Sequence, residues 1–452
     1  MSKKAETRVQ SLLDDLKERH PDQPEFHEAV AGVARSVMPL VLENSAYDDC
    51  KVLEQLTEPD RIISFRVAWR DDDGAVHVNR GWRVQHNHAI GPYKGGLRFA
   101  PHVNESVLKF LAFEQTFKNA LTNLPMGGAK GGSDFDPHGR SNGEIMRFCQ
   151  AFMECLYRYI GPNTDVPAGD MGVGGREIGF LFGHFIRLTN TFEGSLTGKG
   201  LAFGGSAERT EATGYGLIYF LENALNHHDL ELKEQTVAIS GAGNVALYAA
   251  EKAMEEGAKV VTLSDSGGLL HVKEGLDEDT LDAIKRCKLK KHGALEDGAG
   301  DIKGAKFHKD KTPWGVECDI ALPCATQNEL DGDAAKTLID NGVKAIAEGA
   351  NMPCTEEARE AFRKSDVIFV PGKAANAGGV AVSGLEISQN AVGLQWDREE
   401  VDQRLRRIMS EIHDKCRDAC PDKDCKPLDY VAGSDIAGFK RVADAIVAYG
   451  VG

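Results

Sequence analysis

One short stretch restricts the fold of this chain more than any other. Residues 236–240 (TVAIS) form an apolar run of strand length. Gly241-Ala242-Gly243-Asn244-Val245-Ala246 follows without a gap, and 244–256 has helical spacing and stops at Gly257. A strand that turns through G-x-G-x-x-A into a helix is the fingerprint of a dinucleotide-binding βαβ unit. The first glycine makes the turn, the second lets a pyrophosphate approach the backbone, and the third small residue lets helix pack on sheet. The helix N-terminus adds unpaired N–H groups and partial positive charge. Further strands are expected at 259–264, 320–322, 345–347 and 367–370, alternating with helices. That alternation predicts an α/β domain with a parallel sheet covered on both faces. Gly241, Gly243, Asn244 and Val245 are its candidate dinucleotide contacts.

The type of dinucleotide is open at this level. Asp265 stands 24 residues after Gly241 and could accept a ribose 2′-hydroxyl. It also lies in Ser264-Asp265-Ser266-Gly267, where hydroxyls and loop amides could hold a 2′-phosphate. The basic run from Lys285-Arg286 to Lys290-Lys291 could add countercharge, although a solvated helix face is its plainer reading.

A chain of 452 residues exceeds a single core, so a second domain is expected. Upstream, helices are expected over 5–19 and 25–43, a hairpin from 62–70 and 76–87, and a helix capped by Asn104 that runs to about 123. The glycine-rich stretch 195–210 marks the boundary. A net charge of −16 argues against nucleic acid or an anionic membrane as partner. The polar N-terminus shows no secretory signal and no run is long and apolar enough to span a bilayer, so a cytoplasmic protein is expected. In that compartment the ten cysteines should be free thiols. Cys416, Cys420 and Cys425 do not have the paired spacing of structural zinc, and no metal is expected.

Residues 91–132 carry Lys94, Arg98, Lys109, Lys118 and Lys130 against only two acids, Glu105 and Glu114. Lys94 lies in Gly91-Pro92-Tyr93-Lys94-Gly95-Gly96 and Lys130 in Gly127-Gly128-Ala129-Lys130-Gly131-Gly132. Glycine allows close approach, so two glycine-rich loops bearing lysines predict a tight cavity for a small anion. Gln115 and Lys118 are three apart on the intervening helix and share a face. A lysine in a dry site near other cations has its pKa lowered toward working pH, which makes Lys130 the candidate for chemistry. Asp170, in the glycine-rich turn 164–172, is the candidate proton carrier. Arg98 and Lys109 receive no role.

The segments GPYKGGLR (91–98), QTFKNAL (115–121), MGGAKGGSDFDP (126–137), DVPAGDMGVGGREI (165–178), EATGYG (211–216), GAGNVA (241–246) and NAGGVAVSGLEISQ (376–389) together resemble the hexameric glutamate dehydrogenases. The resemblance covers nearly the whole chain. It is closest to the compact NADP-dependent bacterial and fungal type, whose members carry Ser-Asp-Ser after the second Rossmann strand. This favours NADP over NAD.

The resemblance implies an N-terminal α/β substrate and oligomerisation domain with a mixed sheet, over 1–200 and completed by a C-terminal helix at about 425–452. A Rossmann-like domain over 201–424 follows, with the active site in the cleft between them. It implies that Lys94, Gln115 and Lys118 bind the carboxylates of 2-oxoglutarate or L-glutamate. Ser383 would join Lys94, and Gly169 would line the pocket. Lys130 would polarise the carbonyl or activate water, with Asp170 passing the proton. Thr213, Asn244, Asn351 and Asn376, with Ser264 and Asp265, would lie along the cofactor. The implied reaction is reversible reductive amination of 2-oxoglutarate with ammonia in a homohexamer. The alternatives are NAD dependence, a dehydrogenase of another amino acid, or a silent relative. Ala129 replaces a commoner glycine before Lys130, and Ser206-Ala207-Glu208-Arg209-Thr210 departs from the commoner stretch before Glu211.

Overall fold

A computed structural model describes residues 1–291, 293–299 and 304–450. They form two compact units, one of described residues within 1–207, 382–401 and 435–450, the other of those within 208–381 and 402–434. The division at 207 falls inside the expected linker. The sequence plan keeps 382–401 with the nucleotide half and begins the closing segment near 425, whereas packing puts 382–401 in the first unit and resumes it at 435. Side chains explain the first return. Gly384 presses on Leu124 and Met126, and buried Glu386 pairs with buried Lys199 at 2.7 Å. At the second, Arg441 donates to the Ala120 carbonyl at 2.8 Å.

The first unit holds a five-stranded sheet in the order β1-β2-β4-β3-β5. Its strands are β1 (Arg61–Arg70), β2 (Val76–Asn87), β3 (Tyr93–Phe99), β4 (Gly128–Ser133) and β5 (Asp165–Gly169). The expected hairpin is present: β1 and β2 pair antiparallel from Arg61↔Gln85 to Arg70↔Val76. Asp71 accepts the Ala75 N–H at 2.8 Å across the turn. β2 pairs antiparallel with β4, while β3 runs parallel to both β4 and β5. This is the mixed sheet.

The two lysine-bearing stretches are not loops, as their glycines suggested, but buried central strands. Glycine usually weakens a strand and marks close backbone approach. Here a Cβ at Gly95 would lie 1.6 Å from the Ala129 carbonyl oxygen, and one at Gly132 would lie 2.1 Å from that of Arg98. The helix Glu105–Leu121, capped by Asn104 through the Val107 N–H at 3.0 Å, lies against β4. A Cβ at Gly128 would sit 1.9 Å from Thr116 Oγ1. On the other face Leu97 and Phe99 join a core with Phe135, Phe148 and Phe152. Burial of each such ring contributes roughly 1.5–3 kcal/mol.

The second unit holds a seven-stranded sheet in the order β12-β11-β10-β6-β7-β8-β9. Its strands are β6 (Thr236–Ile239), β7 (Lys259–Asp265), β8 (Gly268–Val272), β9 (Ala305–Lys309), β10 (Ile320–Leu322), β11 (Ala345–Ala347) and β12 (Ile368–Val370). β12, β11, β10, β6 and β7 are parallel. β8 and β9, which the alternation did not reveal, add an antiparallel edge. The order reverses beside β6, with β7 on one side and β10 on the other. Open α/β sheets bind their ligands at such a switch point, outside the carboxyl ends of the strands. Among the described residues no helix is long and apolar enough to cross a membrane.

Candidate active site

Strand register decides which side chains share a face in the first unit. Side chains alternate along a strand, so Lys94, Gly96 and Arg98 of β3 point one way and Leu97 the other. Leu97 pairs with Gly131 of β4 and with Gly169 of β5. Lys130 therefore lies beside Gly96, and Asp170, one residue past β5, lies beside Arg98. The outcome is a cluster on one acceptor atom: Lys130 Nζ is 2.9 Å from Asp170 Oδ2, and Arg98 Nε donates to the same oxygen at 2.9 Å. Lys94 and Lys130 are buried. Asp170 keeps 20% of its side chain exposed.

The electrostatics follow from burial and from these partners. Desolvation pushes the Lys130 ammonium below its ordinary pKa, Asp170 opposes this, and the Arg98 and Arg83 cations reinforce it. Burial alone would raise the Asp170 carboxyl, but Lys130 and Arg98 outweigh it and hold it below the usual carboxylate range. A lysine that gives up its proton readily thus stands beside an ionised carboxylate.

Gly96 makes room for the cluster. A Cβ there would come within 2.8 Å of the Gly169 carbonyl and 2.9 Å of Asp170 Cβ. Gly96→Ala is expected to displace Asp170 and lower kcat by about 10²-fold, the cost of a misplacement near 1 Å. The KM for a dinucleotide should stay put. Unchanged kcat would show that Asp170 needs no such exact seat.

Gln115 and Lys118 are half-buried on the helix Glu105–Leu121. Gln115 Nε2 donates to Asn119 Oδ1 at 2.7 Å. Asn119 in turn donates to the carbonyls of Lys94 at 3.1 Å and Gly127 at 2.5 Å. Asn119 was missed by sequence reasoning, yet it ties the helix to the backbone of the Lys94 strand. Its signal was available, since it lies four residues after Gln115. Ser383 is buried in the helix Gly378–Val392, next to the Gly384 that packs on the 124–126 segment leading into β4. Lys109 has a different place: its ammonium sits 4.5 Å from the centre of the Phe26 ring.

The opposite face carries a structural pair. Arg83 donates through Nε and Nη2 to both oxygens of Asp165, at 2.9 and 2.5 Å, and through Nη1 to the Gly95 carbonyl at 3.0 Å. Gln85 donates to Asp165 at 2.9 Å. These bonds fix β2, β3 and β5 behind the lysines.

The glycine turn of the second unit fits a dinucleotide. Gly241 has φ +88°, in the left-handed region, and a Cβ there would meet the Cys324 carbonyl at 3.1 Å. A Cβ at Gly243 would meet nothing within 4 Å. Gly243 is the extended N-cap of the helix Asn244–Glu255 and supplies no side-chain cap. The helix N–H groups and open space in front of them suit a pyrophosphate. Gly243 and Asn244 are exposed and Val245 is half-buried. Asn376 Nδ2 donates to Asn351 Oδ1 at 3.0 Å and to the carbonyls of Gly349 at 3.1 Å and Ala350 at 3.0 Å. The two asparagines are thus joined past the end of β11. Thr213 lies against Gly379, where a Cβ would be 2.4 Å from its Oγ1.

Ser264 and Asp265 are both engaged by protein. Ser264 is buried, and its hydroxyl accepts the Gly241 N–H at 3.0 Å, bracing the turn. Asp265 Oδ2 accepts from Lys288 Nζ at 2.7 Å and the Leu295 N–H at 2.8 Å, and Oδ1 accepts the Gly267 N–H at 3.0 Å. Burial works to raise the Asp265 carboxyl, but these donors outweigh it and lower its pKa. The basic run is accordingly not a uniform solvated face. Lys288 and Lys285 pair with Asp265 and Glu251, while Arg286, Lys290 and Lys291 are exposed.

Proton exchange at a buried lysine, beside further cations suited to carboxylates, is the chemistry of nicotinamide-dependent dehydrogenases that act on small carboxylic acids. Comparison with known proteins narrows this class. The Glutamate/Leucine/Phenylalanine/Valine dehydrogenase profile matches residues 204–450, and the Glu/Leu/Phe/Val dehydrogenase dimerisation domain matches 59–187. The chain belongs to this family. It is 56% identical to the NADP-specific glutamate dehydrogenase of Salmonella typhimurium, covering 98% of both chains. It is 53% identical to the NAD(P)-specific glutamate dehydrogenase of Xylanibacter ruminicola, over 97% of this chain and 99% of the other. The crystal structure of Plasmodium falciparum glutamate dehydrogenase superposes with a TM-score of 0.97 at 47% identity, over 99% of this chain and 95% of the other.

Proposed function

We infer that the chain is an NADP-dependent glutamate dehydrogenase, catalysing reversible reductive amination of 2-oxoglutarate with ammonia to L-glutamate. The observation that carries this reading is the pairing of buried Lys130 with Asp170 at 2.9 Å on the sheet face that also bears Lys94. A dicarboxylate needs two anchoring groups. Lys94 with Ser383 takes the side-chain carboxylate, and Lys118 with Gln115 takes the carboxylate next to the reacting carbon. Gly169, at the end of β5 next to Asp170, would line the pocket with its backbone. Lys130 polarises the C2 carbonyl as ammonia adds and water leaves, and Asp170 exchanges protons with the amine and the departing water. The product of this step is 2-iminoglutarate. When bound, NADPH supplies the hydride that reduces the imine carbon.

The glycine turn, Thr213, Asn351 and Asn376 would hold the dinucleotide. Lys288 balances the Asp265 charge at 2.7 Å, so this corner is neutral and not anionic, and Lys288 with the exposed Ser266 hydroxyl would donate to a 2′-phosphate. Lys288→Ala should raise the KM for NADPH by about 10–100-fold, the worth of a charged hydrogen bond, and leave the KM for NADH nearly unchanged. Equal effects on both cofactors would remove Lys288 from 2′-phosphate binding. We propose a cytosolic homohexamer: association is supported by the dimerisation-domain match over 59–187, and the hexamer by the sequence resemblance.

Substrate choice tests the dicarboxylate reading. With ammonium and NADPH, kcat/KM for 2-oxoglutarate should exceed that for a branched monocarboxylic 2-oxo acid by at least about 100-fold. A preference for the branched acid would overturn it.

A further inference from the structure

Arg98 is absent from the roles assigned above, yet its guanidinium reaches the proton carrier. Its Nε donates to Asp170 Oδ2 at 2.9 Å, and Lys130 Nζ stands 2.9 Å from that same oxygen. Among the described residues, no side chain donates to the other oxygen, Oδ1. Arg98 is nearly buried, with 10% of its side chain exposed. Its strand partner across β4 is Gly132, where a Cβ would strike the Arg98 carbonyl at 2.1 Å. The backbone that carries the guanidinium is therefore fixed against β4.

We propose that Arg98 is a positioning residue for the reaction: with Lys130 it pins Asp170 by Oδ2 and leaves Oδ1 as the atom that exchanges protons. The proposal rests on the glutamate dehydrogenase reading, because it assigns a job within that chemistry. A carboxylate bound by one donor can swing about its Cβ–Cγ bond and present either oxygen. Two donors converging on one oxygen from neighbouring strands remove that freedom, and a fixed proton acceptor is what general acid–base catalysis requires. The Arg98 cation also acts through its charge. It favours the anionic form of Asp170 and the neutral form of Lys130, the two forms needed to take protons from glutamate.

The sign of the pH effect follows. Removing the cation lets both groups hold their protons to higher pH, so the acid limb of kcat for glutamate oxidation moves toward alkaline pH. The test compares wild type, Arg98→Gln and Arg98→Lys in glutamate oxidation with NADP. Wild-type turnover comes first, since its absence would refute the function and not this role. For Arg98→Gln the expected result is a fall in kcat of about 10²-fold, with the KM for glutamate changed by less than about threefold. Its acid limb should lie about one pH unit higher. For Arg98→Lys, which keeps the charge, the limb should stay at the wild-type pH and most of the rate should return. An acid limb at the wild-type pH in Arg98→Gln would overturn the proposal whatever the loss of rate. If that variant does not fold, Arg98→Lys decides alone: a displaced limb with the cation retained would equally overturn it.

Discussion

Lys130→Ala is expected to lower kcat in both directions by about 10³-fold or more, a loss in the range of general acid–base catalysis, while NADPH binds as it does to wild type. The lysine is buried, and its ammonium is held by Asp170 alone among the ion pairs of the described residues. Truncation removes the group proposed to polarise the carbonyl and leaves no neighbour on β4 able to replace it, since Ala129, Gly131 and Gly132 carry no polar side chain. The fold should survive the change, because Arg98 still compensates Asp170. Steady-state rates and a fluorescence titration with NADPH check the two halves of this prediction. Retention of a tenth or more of wild-type turnover would remove Lys130 from the chemistry.

Arg83→Met is expected to be the most destabilising of the substitutions considered, at about 3–5 kcal/mol, with little to do with substrate chemistry directly. Both partners of the Arg83–Asp165 pair are fully buried. Loss of the guanidinium leaves Asp165 with only the Gln85 amide among its side-chain donors. It also leaves the Gly95 carbonyl without the donor that it has at 3.0 Å. The cost is chiefly that of an uncompensated buried charge, so Arg83→Met/Asp165→Asn should recover a substantial part of it. Unfolding at equal protomer concentration, which oligomerisation requires, measures both variants. A single variant within about 1 kcal/mol of wild type would show that this pair does not secure the sheet.

Much of the second unit is legible from local pattern. β10 and β11 coincide with the short apolar runs at 320–322 and 345–347, and the glycine turn follows β6 with Ser240 alone between them. The antiparallel β8 and β9 escaped although each is longer than β10 or β11, because they stand outside the alternation of parallel strands and helices: β8 returns on β7 through the Ser264–Gly267 turn, and β9 pairs with β8. In the first unit the residue types pointed to an anion site, but the secondary structure of the lysine stretches did not follow from them. A run such as Gly95-Gly96 reads as a loop when propensity is the only guide. It is a strand here because Ala129 and Gly169 approach too closely for any Cβ, a fact that belongs to tertiary packing.

Arg98 shows the same limit from the side of function. A single arginine on β3 carries no motif. Its meaning depends on the β3–β5 register that sets Asp170 beside it, and that register joins segments about 70 residues apart. Ser264 shows the reverse. Its position in Ser-Asp-Ser suggested a phosphate ligand, yet its hydroxyl faces inward and holds the Gly241 N–H. Spacing identified the neighbourhood, and only packing separates a hydroxyl that braces the turn from one, such as Ser266, that is exposed.

The central claim is tested most directly by absorbance at the nicotinamide band, with purified protein, 2-oxoglutarate, ammonium and either NADPH or NADH. The account predicts rapid oxidation of NADPH that depends on both 2-oxoglutarate and ammonium, yields glutamate in equal amount, and outpaces the reaction with NADH. No oxidation of either cofactor would contradict the assignment of enzyme and site. Faster turnover with NADH would contradict the role given to the Asp265–Lys288 corner.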